Sequence, residues 1–460
     1  MYRRTSILNG SLLQSNPFPQ ITNAKITIPG TYNNTSCNLG LSNDILSKHV
    51  MLIGGTGCGK TNTFYHMVSS LKKQMTKDDV MIIFDTKDDF FQKFYDPAKD
   101  VVIGNSRKYR QISASWNLFK EISVNGYTEQ NMSELYLYSR EIAKAFFENK
   151  RSDAQPFFVN AATEVLTAVF YQMLWCNVDA PLAEQKKNLT NKTVRDLFDL
   201  WDVSDFCKFI SRNDELKSTL SLIGSPERDE YGNLLLDNHG DPIYGNADDA
   251  QNSVYTEILV AIRDILIGVF AGEGDFSIQS FVRQKNARTL FIEYDLSLGS
   301  VLAPIYRLMI DLALKESLGR EKSSGNVYLI IDELKLLPKL RHIQNAVNFG
   351  RSLGLKVIVG LQSINQLKEA YGVEAENIIA GFSTVMSFHA NDYETRKFTT
   401  ALYGKNIIIE EYKNPDNSLK VEKRDGNCIE DWDVMDLRLG EAIIGLPFTP
   451  PFRFRIKEYQ

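Results

Sequence analysis

The stretch from Val50 to Thr63 carries the residues whose types and spacing most clearly point to chemistry. A short apolar run at positions 50–53 leads into Gly-Gly-Thr-Gly-Cys-Gly-Lys-Thr at positions 54–61, and a helix-compatible run follows. A glycine, four further residues and Gly-Lys-Thr is the spacing of a P-loop. Its glycines let backbone N–H groups point at phosphate oxygens, at the positive end of the next helix. The pattern predicts nucleotide binding; the alternative is a glycine-rich surface turn that precedes a helix.

The polar residues at the end of this motif have separate expected roles. Lys60 would reach the β- and γ-phosphates as a point charge, which also makes it a catalytic candidate, and Thr61 would place its hydroxyl on Mg²⁺. The candidate cofactor-binding residues form one continuous run: Gly54, Gly55, Thr56, Gly57, Cys58, Gly59, Lys60, Thr61 and Asn62.

A second motif closes the apolar run that begins at Asn326, where two carboxylates, Asp332 and Glu333, stand side by side. In P-loop enzymes a buried strand delivers an aspartate toward Mg²⁺, and in many ATPases the next glutamate orients the attacking water. The alternative is a strand that ends in an acidic helix cap. Together with the P-loop, the pair predicts Asp332 as a metal ligand and Glu333 as a catalytic residue.

Two further polar residues are catalytic candidates. Gln362 follows the apolar run at 355–361, and its amide could sense the γ-phosphate; the alternative is a partner in a helix cap. Arg351 is a candidate arginine finger offered to a neighbouring subunit. For Arg351, the residues alone favour an ordinary surface arginine.

Apolar, β-branched runs must position these side chains. Such runs occur at 80–84, 100–104 and 287–294, with helical spacing between several of them. Runs that are apolar on both faces belong to parallel sheets covered by helices. The expected fold class is α/β: a RecA-like P-loop nucleotide-binding core with a parallel-type central sheet and an inserted, mostly α-helical domain.

The order of strand-like and helical patterns along the chain predicts four segments. Residues 1–45 are an N-terminal β appendage, in which a strand at 24–28 is ended by Pro29-Gly30-Thr31. Residues 46–127 form the first part of the nucleotide-binding domain and residues 276–460 the second. The segment between them, 128–275, is an all-α insertion whose helical spacing covers 132–149, 156–176, 194–209 and 254–270. Its polar stretch at 228–250 is either a β-hairpin or a mobile loop.

Composition narrows the setting of the protein. The net charge of −5 over 460 residues means that any nucleic-acid contact must be a local basic surface. No run reaches the ~18 consecutive apolar residues of a membrane span. The five cysteines are scattered without a Cys-x-x-Cys pair, which favours a reducing compartment. The predicted location is the cytoplasm.

Several separate motifs carry a resemblance to a known family. Residues 330–372 contain Asp-Glu, Leu-Pro-x-Leu, Gly-Arg-Ser-x-Gly, Gln-Ser and Gln-Leu-x-x-x-Tyr-Gly in that order. Residues 82–122 and 440–456 are also similar to family segments. These stretches resemble the ATPases of type IV secretion coupling proteins, the hexameric conjugative DNA-transfer motors of the FtsK/HerA superfamily. Cys58 stands where the family usually has serine.

The resemblance implies an ATP-driven DNA translocase that requires ATP and Mg²⁺. Its subunits would form a homo-hexamer in which Arg351 completes the neighbour's site. Single-stranded DNA bound to a relaxase would pass to the type IV secretion channel. Many relatives begin with a transmembrane anchor, which this sequence is not expected to contain, so a separate membrane-anchor protein would place this chain at the inner face of the membrane. Two alternatives stay open: a soluble pump for double-stranded DNA, or an ATP-gated adaptor for secreted proteins.

Overall fold

The computed structural model describes residues 3–6, 13, 16–148, 156–245, 248–319, 325–413 and 418–460. The strands within these residues are β1 Arg3–Ser6, β2 Ala24–Tyr32, β3 Thr35–Ser42, β4 Val50–Ile53, β5 Val80–Asp85, β6 Val101–Gly104, β7 Ser225–Pro226, β8 Tyr244–Gly245, β9 Arg288–Glu293, β10 Val327–Ile331, β11 Leu355–Leu361, β12 Thr384–Phe388, β13 Lys405–Lys413, β14 Leu419–Asn427, β15 Glu441–Gly445 and β16 Phe452–Ile456.

Helices connect most of these strands. The α-helices within the described residues are α1 Asn43–Leu46, α2 Lys60–Gln74, α3 Asp89–Phe94, α4 Leu118–Ile122, α5 Met132–Phe146, α6 Pro156–Asn177, α7 Leu182–Asn188, α8 Asn191–Leu200, α9 Val203–Ser211, α10 Lys217–Leu220, α11 Asp249–Ile265, α12 Ile278–Gln284, α13 Gly299–Leu318, α14 Ile343–Phe349, α15 Ile364–Tyr371, α16 Ala375–Ala380, α17 Tyr393–Leu402 and α18 Asp431–Met435.

The main sheet has the strand order β3-β2-β16-β15-β12-β4-β11-β10-β5-β9-β6 in the described chain. Strands β12, β4, β11, β10 and β5 pair in parallel, and the β15, β16, β2 and β3 pairs are antiparallel. Every residue of β4, β5, β10 and β11 is buried. This burial on both faces explains their continuous apolar sequences. The predicted α/β class with a parallel central sheet is confirmed.

The chain divides into two compact units. The first consists of residues 1–100, 285–291 and 314–460, and the second of residues 101–284 and 292–313. The second unit contains the helices α4 to α12 and most of α13. The boundaries expected from the sequence, after residues 45, 127 and 275, stay predictions.

Helix α6, in the second unit, is long and apolar enough to cross a membrane by length and composition. However, 78% of its most apolar window is buried inside the protein. Its buried side chains occur all round the helix, as expected for the central helix of a bundle.

Pro29 does not end a strand, as the sequence led us to expect. Strand β2 runs through it to Tyr32. The carbonyl of Pro29 still accepts a hydrogen bond from the N–H of Lys457, at 2.9 Å. A β-carbon on Gly30 would lie 2.2 Å from the carbonyl oxygen of Arg455. Proline lacks a donor but keeps its acceptor, and glycine permits the close approach of β16, so the strand continues.

The helix expected over 194–209 is instead two helices, α8 and α9. Asp202 divides them because its side chain accepts a hydrogen bond from the N–H of Asp205, at 3.0 Å, in a capping box. The stretch at 228–250 contains β8, which pairs with β7 just before the stretch, together with bridges between Arg228 and Leu234 and between Leu236 and Pro242. Of the two alternatives for that stretch, the structure shows the hairpin; residues 246–247 lie outside the described chain.

Candidate nucleotide site

The glycine-rich loop between β4 and α2 requires glycine at its tightest positions. Gly54, Gly57 and Gly59 have φ angles of 154°, 75° and 113°. A β-carbon on Gly54 would lie 2.7 Å from the β-carbon of Phe388, and one on Gly59 would lie 3.0 Å from the α-carbon of Gly440. Glycine therefore serves both the positive φ angles and the close packing.

Backbone hydrogen bonds from neighbouring strands brace this loop. The N–H of Gly54 donates to Leu361 at the end of β11, at 3.2 Å, and the N–H of Gly55 donates to the carbonyl of His389, at 2.8 Å. The N–H of Gly440 donates to the carbonyl of Cys58, at 3.1 Å. Three separate parts of the chain thus fix the shape of the loop before any ligand binds.

Lys60 begins helix α2 and its side chain is buried. Its ammonium donates to the carbonyl oxygens of Gly54, at 2.5 Å, and Gly55, at 3.0 Å. The Cys58 thiol lies 3.9 Å away, and burial raises its pKa, which favours the unreactive protonated form. The structure therefore holds the charge of Lys60 inside the curve of the loop.

The two adjacent carboxylates follow strand β10. Asp332 is 7% exposed, and burial raises its pKa to about 6. Glu333 and Asp85 raise the pKa further, while Lys87 and Lys60 lower it. Asp85 ends β5, beside Asp332, because Phe84 and Ile331 are paired in the parallel register. Several carboxylates thus share a small volume, where a bound cation would stabilise their charged forms.

The carboxylate of Glu333 is held by one side chain. Its Oε2 accepts a hydrogen bond of 2.6 Å from the amide of Gln362, whereas its Oε1 is buried without a hydrogen-bond partner among the described residues. Burial raises the pKa of Glu333; the Gln362 bond and the charge of Lys60 lower it. Gln362 does not cap α15, because Ser363 does so.

The donor set fits a magnesium–nucleotide complex better than a free metal ion. In the described chain no group of three or more His, Cys, Asp or Glu residues could hold a metal. Mg²⁺ commonly takes one or two protein oxygens and completes its shell with phosphates and water. Thr61 and Asp332 offer that number of ligands, beside a loop whose shape suits phosphate.

Arg351 is not part of the site of its own chain. It lies in the short turn before β11 begins, whereas Gln362 follows the end of that strand. The strand is seven residues long, which is about 20 Å at ~3.3 Å per residue. The side chain of Arg351 is 56% exposed and pairs with Asp44 at 3.0 Å.

Asn62 faces the end of the chain rather than the loop. Its amide donates to the carbonyl of Lys457, at 3.0 Å, and its oxygen accepts from the N–H of Tyr459, at 2.7 Å. Beside it lies a cavity of about 1,020 Å³ that reaches Gly59. Tyr65 and Tyr459 also line this cavity.

The sequence interpretation missed Asp85 and Lys87. Asp85 accepts hydrogen bonds from the N–H groups of Lys87, at 3.1 Å, and Phe90, at 2.8 Å, and so holds the turn that places Lys87 near Asp332. The available signal was the buried run 80–84 ending in Asp-Thr-Lys. That ending gains meaning only once β5 is known to lie next to β10.

Comparison with known proteins agrees with this geometry. The sequence profile described as the type IV secretion-system coupling protein DNA-binding domain matches residues 35–221 and 225–429, most of the chain. The chain belongs to the type IV coupling protein family. The resemblance seen in the sequence motifs is thereby confirmed.

Individual family members are distant relatives. Coupling protein TraD of Escherichia coli K12 is 21% identical over 382 residues, which cover 80% of this chain and 45% of TraD. A conjugal transfer protein TraG of Escherichia coli is 24% identical over 43% of this chain and 35% of TraG. The chain therefore spans less than half the length of these relatives.

Solved structures of a conjugative coupling protein show the same fold. Unbound TrwBdeltaN70 has a TM-score of 0.69 at 18% identity, with 100% of this chain and 93% of that chain covered. TrwB in complex with ADP and Mg²⁺ has a TM-score of 0.67 at 19% identity, covering 100% and 94%. The likeness extends over the whole type IV coupling protein chain described here.

Proposed function

We propose that this chain is a Mg²⁺-dependent ATPase. The observation that carries the proposal is the meeting of Lys60, Asp332, Glu333 and Gln362 at the carboxyl ends of neighbouring parallel strands, β4, β10 and β11. Ligands of α/β sheets bind at this end of the strands. TrwB, which shares the fold, has been crystallised with ADP and Mg²⁺ and with a non-hydrolysable ATP analogue.

The residues divide the work of hydrolysis. Lys60 exchanges its carbonyl partners for the β- and γ-phosphates, and the braced loop donates N–H groups to the same phosphates. Thr61 and Asp332 would hold Mg²⁺, which would supply positive charge against the phosphates. Glu333 orients a water through Oε1, which has no hydrogen-bond partner among the described residues, while Gln362 fixes Oε2 and senses the γ-phosphate. The cavity beside Gly59 receives the nucleoside.

In this proposal, ATP hydrolysis drives the transfer of DNA. We propose that six copies form a ring that moves single-stranded DNA, bound to a relaxase, into a type IV secretion channel. The DNA-binding description of the family and the conjugative roles in the relatives' names support the DNA-transfer part of this proposal. The ring would work at the cytoplasmic side of the membrane, with a separate anchor protein as an additional partner.

The test is ATP hydrolysis by the purified chain without DNA, with single-stranded DNA and with duplex DNA. Ring formation is followed on the same samples by light scattering after size exclusion. Stimulation by single strands together with hexamers supports the coupling role. Preference for duplex would point to a soluble DNA pump, and a rate indifferent to all DNA would point to a protein-secretion adaptor.

A further inference from the structure

The loop between β15 and β16, residues 446–451, lies at the opposite edge of the sheet from the glycine-rich loop at residues 54–61, which we call the phosphate loop. Strand β15 is antiparallel to β12, and β12 is parallel to β4. Gly440, just before β15, contacts the phosphate loop at the carboxyl end of β4. The loop after β15 therefore lies toward the amino end of β4, on the same edge as Arg351.

Phe448, at the tip of this loop, is 97% exposed. Its φ angle is 62°, a left-handed conformation that is rare for a bulky residue and costs free energy. Pro447, Pro450 and Pro451 surround it, and the N–H of Thr449 donates back to Leu446 at 3.3 Å. The ring is thus displayed to solvent on a stiff loop, which lowers the entropy lost when a partner covers it.

Phe448 is connected to Arg351 by a short series of side-chain contacts. The ammonium of Lys48 lies 5.1 Å from the centre of the Phe448 ring and 2.7 Å from a carboxylate oxygen of Asp44. The other oxygen of Asp44 holds Arg351 at 3.0 Å. Phe349, two residues before Arg351, is 66% exposed. These five residues, Asp44, Lys48, Phe349, Arg351 and Phe448, form what we call the Phe448 surface.

We propose that the Phe448 surface docks on the phosphate-loop edge of a second copy of this chain, with Phe448 as the apolar anchor beside Arg351. The inference rests on the proposed ring and names the surface that builds it. Two different edges of the same sheet would meet, which is a head-to-tail contact that can close into a ring.

Two observations favour a second copy as the occupant. Arg351 and the phosphate loop lie toward opposite ends of β11, a strand of about 20 Å at ~3.3 Å per residue, so a second copy is where the charge of Arg351 can serve catalysis. The charges are also complementary once nucleotide is bound: Lys48 and Arg351 together exceed the charge of Asp44 by one, and they would face the phosphates held at the neighbour's loop. An exposed, preorganised aromatic side chain between such charges is typical of an interface anchor.

The experiment compares wild type, Phe448→Ala and the control Tyr231→Ala by sedimentation velocity with a non-hydrolysable ATP analogue and single-stranded DNA. Tyr231 is 83% exposed but belongs to the second unit. We expect Phe448→Ala to need at least about tenfold more protein for half-assembly, the loss typical of an interface anchor. Its affinity for ATP as a monomer should not change, and Tyr231→Ala should assemble like wild type.

Phe448→Gly separates docking from folding. Glycine adopts the positive φ angle without strain, so the Tm of this variant should equal or exceed that of wild type, while half-assembly should still need at least about tenfold more protein. If both Phe448 variants assemble like wild type, the docking inference is overturned and the proposed ATPase stands. If the wild type neither assembles nor responds to DNA, the proposed ring and this inference fail together.

Discussion

The amide of Gln362 donates a 2.6 Å hydrogen bond to Oε2 of Glu333, across the carboxyl ends of two adjacent parallel strands. One side chain follows β11 and the other follows β10, so the bond exists only because these strands are neighbours. It connects the residue expected to sense the γ-phosphate with the residue expected to orient the attacking water. A change at either residue should therefore alter the chemistry of the other.

Gln362→Ala should move the acidic limb of the pH–rate profile to higher pH. The hydrogen bond from Gln362 lowers the pKa of Glu333, so its loss should raise that pKa. Because a water-orienting base must be ionised, more alkaline conditions would then be needed for full kcat. Gln366→Ala, on helix α15, is the control. A profile identical to wild type would show that Gln362 does not tune Glu333.

Glu333→Gln should bind ATP but not cleave it. The substitution keeps the size of the side chain and one acceptor oxygen for the amide of Gln362, and removes the charge that orients water. We expect kcat to fall by roughly 10²–10⁴-fold, the usual contribution of a positioned base. Titration with a fluorescent ATP analogue should show an unchanged Kd. Hydrolysis at the wild-type rate would contradict the role assigned to Glu333.

Asp332→Asn should remove the pH dependence of Mg²⁺·ADP binding. The pKa of Asp332 is raised to about 6, mainly by burial, and a carboxylate must lose its proton to bind the metal. Calorimetry on wild type should therefore show affinity falling as pH drops below about 6. In the variant, affinity should be weak at every pH. The exposed carboxylate Asp96, replaced by asparagine, serves as the control.

The same shift makes a prediction for the unliganded protein. Between pH 3.8 and about 6 the folded state holds more protons on Asp332 than the unfolded state does. The contribution of Asp332 to the free energy of unfolding is therefore largest at low pH, and it is lost as the pH rises through about 6. At pH 7 without ligand, Asp332→Asn should have a Tm at or above that of wild type. A lower Tm would show that the ionised carboxylate is stabilised in the empty site.

Lys60→Ala should abolish nucleotide binding while leaving the fold intact. Within the described structure, every hydrogen bond of the buried ammonium goes to a group of the phosphate loop. Its removal should therefore take away mainly the positive charge that binds phosphate. Equilibrium binding of ATP should fall below detection, and the Tm without ligand should change little. Retention of wild-type affinity would contradict the assignment of the phosphate loop.

Arg351→Ala should bind nucleotide and lose turnover in the assembled ring. Because Arg351 would act on the neighbour's site, mixing this variant with Lys60→Ala should restore part of the ATPase activity. Asp44→Asn is the control, since it removes the present ion pair of Arg351 but keeps the guanidinium. If no mixture of the two variants hydrolyses ATP, the role of Arg351 in a neighbouring site is wrong.

Residues 50–63 and the pair Asp332–Glu333 could be recognised from sequence because each is a local pattern. A buried strand, a glycine turn and a helix follow one another directly in the chain, and this order determines where the polar side chains emerge. The same locality explains why the α/β class could be predicted. It also explains why the prediction at Pro29 was wrong. The N–H group that donates to the Pro29 carbonyl and keeps the strand intact comes from Lys457, far away in the sequence.

Residue order along the chain is enough to identify which residues can cradle phosphate and which carboxylates are available to a metal. Only the folded chain shows which residues lie next to one another. Asp85 lies beside Asp332, Gln362 donates to Glu333, Gly440 donates to Cys58, and Asn62 binds the end of the chain. The fold also separates Arg351 from the phosphate loop of its own chain and links it to Phe448 through Asp44 and Lys48. The physical reason is strand order: neighbours in the sheet are chosen by packing and hydrogen bonding between segments hundreds of residues apart, not by their order in the chain.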